Sequence, residues 1–267
     1  MLGLPLNPGR DDRPNPGPSP APAEASGWPP SRSLIAEGVH VMGAARTITP
    51  ELKETGALTV PADLSTADGV AALMDSALAE LGGIDLLVNN VGAGDDVEPA
   101  GFLDTDDTRW TRIFDLNLLS AVRATRAALP SLIERRGAIV NVSSINSRLP
   151  AAGPVAYSAA KAALAALGKS LAEEFGPRGV RVNTVSPGVV RTTIWEDPDG
   201  FGGKVATGAG AEHSAFLQQI PEAFNITTGR ITEPQEVAAL ITFLLSDLAG
   251  NITGADYIID GGTIKTL

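Results

Sequence analysis

The 267-residue chain contains no cysteine and only two histidines, His40 and His213. The missing thiols exclude a disulfide framework, a thiolate nucleophile and any cysteine-ligated metal, and they suit a reducing cytoplasm. Neither histidine stands in metal-ligand spacing, so no metal site is expected. Basic runs are absent as well. A formal charge of −11 argues against nucleic acid and anionic membrane surfaces as partners. No apolar run approaches the roughly 18 residues of a membrane span. The first residues also lack the basic stretch and apolar core of a secretory signal.

What is present is an ordinary α/β composition, 43% hydrophobic, with enough material for the core of one domain. From residue 34 onward, short apolar runs of buried-strand type occur at 39–44, 57–62, 85–89, 138–143, 180–185 and 256–260. Helical patterns lie between them at 66–81 (with Ser65 as candidate cap), about 106–135, about 154–175 and 234–247. Such alternation predicts a Rossmann-like, doubly wound parallel sheet covered by helices on both faces, in a single domain over 34–267. Residues 192–230 break the rhythm with a glycine cluster and a short helical piece near 211–224, as a substrate lid does.

Proline is unevenly spread: nine of 20 fall within residues 1–33. The segment 11–33, DDRPNPGPSPAPAEASGWPPSRS, suits neither strand nor helix, because proline lacks an N–H and breaks helices. A disordered leader over 1–33 is the plain expectation. Yet LIAEGVHVMGAAR, from Leu34, reads as the last turns of a helix entering a strand, with no first half of the unit before it. The neighbouring reading frame of residues 18–30 permits V-T-G-A-S-R-G-I-G-L-A-T. Third bases there are chosen to fit, but the Trp28–Pro29 junction forces its alanine. The hidden string is the T-G-x-x-x-G-x-G phosphate loop of a dinucleotide fold. The segment therefore reads as frameshifted, with the first strand and the phosphate loop disrupted.

Residues 143–161, S-S-I-N-S-R-L-P-A-A-G-P-V-A-Y-S-A-A-K, carry the chemistry. Tyr157 and Lys161 are four apart in a helical stretch and share one face. An ammonium beside a phenol favours the phenolate and lowers the phenol pKa, which suits a general acid/base acting on a carbonyl or alcohol oxygen. Ser144, thirteen residues before the tyrosine, can donate to the same oxygen. Y-x-x-x-K alone is more often a surface pair, and a serine at a strand end is more often a cap.

The combination is more specific. Y-S-A-A-K with that serine, N-N-V-G at 89–92, the asparagine of D-L-N-L-L-S and P-G-V-V-R-T after a strand together resemble the short-chain dehydrogenase/reductase family, from about residue 34 to 267. The resemblance implies hydride transfer between a nicotinamide cofactor and a small carbonyl or secondary alcohol. It casts Tyr157 as acid/base and Lys161 as the residue that holds the nicotinamide ribose. Ser144 would polarise the substrate oxygen, and Asn117 would hold a water in the proton relay. Asn89 and Gly92, Asp63, and Pro187, Gly188 and Thr192 match cofactor-contacting elements; Val91 departs from the usual alanine. A homo-oligomer, dimer or tetramer, is also implied. After the second strand stands Ala45-Arg46 where an acidic residue would select NAD(H). A guanidinium there suits a 2′-phosphate, so NADP(H) is expected. No T-G-x-x-x-G-x-G exists in the translated chain, so an impaired or non-catalytic relative is the alternative. Trp195, Phe201, Phe216 and Phe224 in segment 192–230 fit either an apolar substrate or packing within a lid.

Overall fold

The structure, a computed structural model, describes residues 3–8, 29–92 and 101–266. Strands β1 (Gly3–Pro8), β2 (Val39–Ala45), β3 (Leu58–Pro61), β4 (Leu86–Asn89), β5 (Ala138–Val142), β6 (Arg181–Pro187) and β7 (Asp256–Ile259) form one sheet in the order β3-β2-β1-β4-β5-β6-β7. Leu87, Val88, Ile139, Val140, Val182 and Val185 are all buried. That continuous apolar run is what a strand covered on both faces needs.

The sheet expected to be parallel throughout is mixed. β1 runs antiparallel to both β2 and β4, with Leu6 opposite Val41 on one side and Leu86 on the other. Every other pairing is parallel. Without a strand in that slot, β2 and β4 would each present an unpaired ladder inside the molecule, which buried backbone groups do not tolerate. Residues 3–8 thus depart from the expectation of an irregular leader. So does the other end of that segment. Helix α1 (Pro29–Ala36) begins at Pro29, with prolines in its first turn, where the missing N–H has no helical partner to lose. Residues 9–28, which carry most of the frameshifted reading, lie outside the described residues.

The helices follow the expected pattern with local differences. α3 (Ala67–Leu81) is capped by Thr66, whose Oγ1 accepts from Gly69 N at 3.0 Å. Ser65, the expected cap, instead donates its amide and hydroxyl to Asp63. The long helix expected over 106–135 is broken into α4 (Asp107–Phe114), one π-helical turn (Asp115–Leu119) and α5 (Ser120–Arg135). α6 (Val155–Phe175) and α10 (Pro234–Leu245) match their predicted spans closely. Three short helices escaped the periodicity, α2 (Pro50–Glu54), α7 (Thr193–Glu196) and α8 (Phe201–Gly208), whereas α9 (His213–Ala223) falls on the helical piece expected near 211–224. α1 packs on α10, α3 on α5, and α4 on α6.

Candidate functional site

The carboxyl ends of β4, β5 and β6 converge on one crevice, the place where open α/β sheets bind ligands. β4 delivers Val91 and Gly92, β5 delivers Ser143 and Ser144, and β6 ends on Pro187-Gly188. α6 crosses beside them with Tyr157 and Lys161 on the shared face its period demands.

Lys161 is 2% exposed, with Nζ 5.7 Å from the centre of the Tyr157 ring. Its ammonium donates to Val142 O at 2.9 Å and to Val91 O at 3.3 Å. An ammonium has three donors; two serve these carbonyls, which leaves one for a ligand. Ser143 Oγ donates to Lys161 O at 2.8 Å and pins α6 to β5. Burial without a carboxylate partner pulls the lysine down to about 7. Burial likewise pushes the Tyr157 phenol up to about 12, and the hydrogen bond with Ser144 offsets this only in part. Burial thus sets a direction opposite to the lowering expected from the lysine, and Ser144 is the group that opposes it. Tyr157 packs on the apolar cluster of Ile113, Ala156 and Ala160, against which Trp110 and Phe114 of α4 also pack.

Gly92 makes room for the lysine. A methyl at this position would lie 2.5 Å from Lys161 Nζ and 3.1 Å from Asn117 Oδ1. The absent side chain is the space in which the ammonium sits. Asn117, 1% exposed, is the middle residue of the π-helical turn, and its Nδ2 donates to Ile113 O at 2.9 Å. Ser144 is buried at 8% exposure; its Oγ accepts from Asn146 N at 3.2 Å and donates to Asn146 Oδ1 at 3.3 Å. Thus Asn117, Ser144, Tyr157 and Lys161, separated by up to 44 residues in sequence, come together.

The other candidates fall into two groups. Asp63 and Arg46 lie at the ends of β3 and β2, where Ser65 and, more weakly, Arg46 and Arg112 hold the Asp63 carboxyl below its usual range. Gly188 N donates to Ile259 O, and Thr192 is the residue before α7, its Oγ1 donating to Val190 O. The side chain of Asn89 is buried, its Nδ2 donating to Thr125 Oγ1 at 3.1 Å and to Asn141 Oδ1 at 2.8 Å. That side chain ties β4 to α5 and β5. The aromatic side chains of segment 192–230 pack on one another, with Trp195 edge-on to Phe201 at 5.4 Å and to Phe224 at 5.9 Å. Among the described residues no cluster of acidic and histidine side chains could hold a metal, and no helix is long and apolar enough to cross a membrane.

Residues missed in sequence are the carbonyls of Val91 and Val142, the Ser143 clamp and Asn146. Backbone acceptors leave no residue-type signal. Ser143 and Asn146 stand in the same S-S-I-N run as Ser144, but nothing in their spacing marks a role.

Residues 27–263 match the family described as enoyl-(acyl carrier protein) reductase. The chain is 32% identical, over 88% of its length and 84% of the relative's, to a 3-alpha-(or 20-beta)-hydroxysteroid dehydrogenase of Mycobacterium bovis. It is 37% identical to a 4-formylbenzenesulfonate dehydrogenase of Comamonas testosteroni, over 77% of each chain. Among solved structures, L-sorbose reductase from Gluconobacter frateurii with NADPH and L-sorbose superposes with a TM-score of 0.81 at 30% identity, covering 90% of this chain and 92% of that one. The NADPH-bound short chain oxidoreductase of Pseudomonas aeruginosa gives 0.77 at 30% identity, with 90% and 93% covered.

Proposed function

Because the chain belongs to the short-chain dehydrogenase/reductase family, and so is an oxidoreductase of hydroxyl and carbonyl groups, we propose that it exchanges a hydride between NADP(H) and a small ketone or secondary alcohol, with Tyr157 as acid/base. The observation that carries this reading is the half-buried Tyr157 set beside buried Ser144 and Lys161 at the carboxyl end of β5, backed by Asn117.

The residues suit a nicotinamide. Gly92 leaves room for the Lys161 ammonium, and that ammonium has a donor to spare for ribose hydroxyls. When bound, the cofactor supplies or accepts the hydride at its ring. Tyr157 donates its phenolic proton to the carbonyl oxygen during reduction and takes it from the alcohol during oxidation. Ser144 holds that oxygen, and Lys161 offsets the phenolate charge. Asn117 serves the proton path behind the lysine. Asp63 and Gly92 line the adenosine side, while Pro187, Gly188 and Thr192 line the nicotinamide side. Arg46, with no carboxylate beside it in sequence, selects the 2′-phosphate, and the NADPH-bound neighbours support that choice. Segment 192–230 is the lid. The protein works in the cytoplasm as a homo-oligomer.

Tyr157→Phe tests the mechanism. Loss of acid/base catalysis costs about 10²–10⁴-fold in turnover, measured as NADPH consumption with a panel of cyclic ketones and ketoses. Retention of activity would remove Tyr157 from the role. A second reading rests on one fact: the 267 residues contain no T-G-x-x-x-G-x-G to cradle a pyrophosphate. On that reading the chain binds NADPH weakly. Nicotinamide fluorescence then shows no binding until V-T-G-A-S-R-G-I-G is rebuilt ahead of α1; tight binding by the chain as it stands removes this reading.

A further inference from the structure

A cavity of about 320 Å³ opens where α6 meets β6 and the edge strand β7. Ser147, Arg148, Lys169, Thr184, Gly254 and Asp256 line it, and none of them is a candidate cofactor or catalytic residue. Cavities of this size hold small-molecule ligands. Its two cations arrive with donors to spare. Arg148 spends Nε and Nη2 on one oxygen of Asp256, at 3.2 and 3.1 Å, while its Nη1 is bonded to no described residue. Lys169 Nζ lies 3.7 Å from Glu173 Oε1, too far for a hydrogen bond. Gly254 gives this ammonium its place, since a methyl there would stand 3.1 Å from Nζ.

The inner end of the cavity is polar as well. Thr184 is 2% exposed, and its Oγ1 is bonded to no described residue. It stands beside Gly168 of α6, where a methyl would come within 2.7 Å of Thr184 Oγ1 and 3.0 Å of Asn141 Nδ2. That amide nitrogen is buried and has no hydrogen-bond partner either. Folded proteins leave few such groups unpaired. On the acceptor side stands the Asp256 carboxylate, and it is already engaged: Ser186 Oγ donates to Oδ1 at 2.7 Å, and Arg148 occupies Oδ2. Donors therefore exceed acceptors here.

We propose that this cavity binds a small oxyanion, carried as a phosphate or a carboxylate group, with Arg148 and Lys169 at its mouth and Thr184 at its inner end. An oxyanion offers acceptors alone, which is what the surplus of donors lacks. The guanidinium keeps Nη1 for it, and a donor bonded to a charged acceptor is worth about twice one bonded to a neutral acceptor. Charge balance agrees. The lining holds two cations against one carboxylate, and Glu173, beside Lys169, is largely exposed to water, which screens it. The site is separate from the crevice of Tyr157 and Lys161 and does not depend on the hydride-transfer reading.

Isothermal titration calorimetry of the full chain tests this, with inorganic phosphate and then succinate as probes and the ionic strength held constant. One saturable site is expected. Lys169→Met weakens it about tenfold, the worth of one charged hydrogen bond, and Lys169→Arg restores most of the affinity. Thr184→Val weakens it several-fold. The same substitution leaves the thermal midpoint unchanged or higher, because no hydrogen bond within the chain goes with the hydroxyl. Lys53→Met, at an exposed lysine of α2, controls for overall charge and leaves the affinity as it was. Arg46→Asp separates the cavity from the proposed 2′-phosphate position, and phosphate binding persists in that variant. Whichever anion binds more tightly, with the same losses in the Lys169 and Thr184 variants, identifies the group the natural ligand carries. The proposal is overturned if neither anion binds saturably, if Lys169→Met or Thr184→Val leaves the affinity unchanged, or if Arg46→Asp abolishes binding. Should Thr184→Val not fold, the exposed Lys169 and its two variants decide the matter.

Discussion

Lys161 shows how a proposed site residue and a stability cost coincide in one side chain. Its pKa falls from 10.5 to about 7 because burial strips its hydration and no carboxylate replaces it. Below pH 7 both the folded and unfolded chains carry the charge, and the folded one bears the full desolvation penalty. Between 7 and 10.5 the unfolded chain binds the extra proton, so stability rises with pH across that window. Lys161→Met keeps the stem and removes the charge. It should gain roughly 3–5 kcal/mol over the parent below pH 7, with the difference vanishing near pH 10, measured by urea unfolding across pH. The tyrosine acts in a separate window: its folded value, about 12, is raised above the usual 10.0, so its contribution is complete below pH 10 and is lost only above it. A parent and variant that differ by the same amount at pH 6 and pH 10 would show that the ammonium is not desolvated. Arg46 makes a second point at this scale. Arg46→Asp removes the cation at the end of β2 and places a carboxylate where a ribose 2′-hydroxyl can donate. The ratio of kcat/KM for NADPH over NADH should fall by about tenfold or more, the worth of one charged hydrogen bond.

At the scale of elements, sequence pattern located the strands well, because their buried runs have no competing explanation. β4, β5 and β6 were placed within one or two residues at each end. The break in the helix at 106–135 was not legible. D-L-N-L-L-S continues the helical period, and the π-helical turn arises from where Asn117 must stand against Ile113 and Gly92. The cap of α3 was misplaced by one residue for a similar reason: Ser65 and Thr66 are both good N-caps by type. Asp63 decides between them by drawing the Ser65 amide and hydroxyl to its carboxylate and leaving Thr66 to cap Gly69. Thr66→Ala should therefore lower stability by about 1 kcal/mol. Ser65→Ala should lower it less and mainly disturb Asp63. Thermal unfolding of the two variants distinguishes these assignments, and equal losses would mean that the cap is shared. The proposed site residues stood out in sequence only through the joint spacing of Ser144, Tyr157 and Lys161. Spacing did not show that the Asn89 side chain is also a buried tie between β4, α5 and β5.

For the whole molecule, the centre of the sheet is the decisive feature. β2 with β3 forms one parallel part and β4 through β7 another, and β1 is the single strand hydrogen-bonded to both. Its prolines, Pro5 and Pro8, withhold two N–H donors from the ladders. The join therefore holds with fewer bonds than a central strand ordinarily makes. A proline-rich beginning is compatible with this place because Leu4, Leu6 and Asn7 keep their backbone donors, and because among the described residues no other strand pairs with the inner edges of β2 and β4. A chain lacking residues 1–8 leaves β2 and β4 with open inner edges. Unpaired buried backbone groups cost about 1–3 kcal/mol each, which across a six-residue strand exceeds the whole stability of an ordinary domain. The truncated chain should lose its cooperative urea transition, or precipitate through those edges, while the full chain unfolds in one step. Preserved cooperativity with an unchanged midpoint would mean that β2 and β4 find another partner. In that case β1 would be an addition to the sheet and not the strand that unites it.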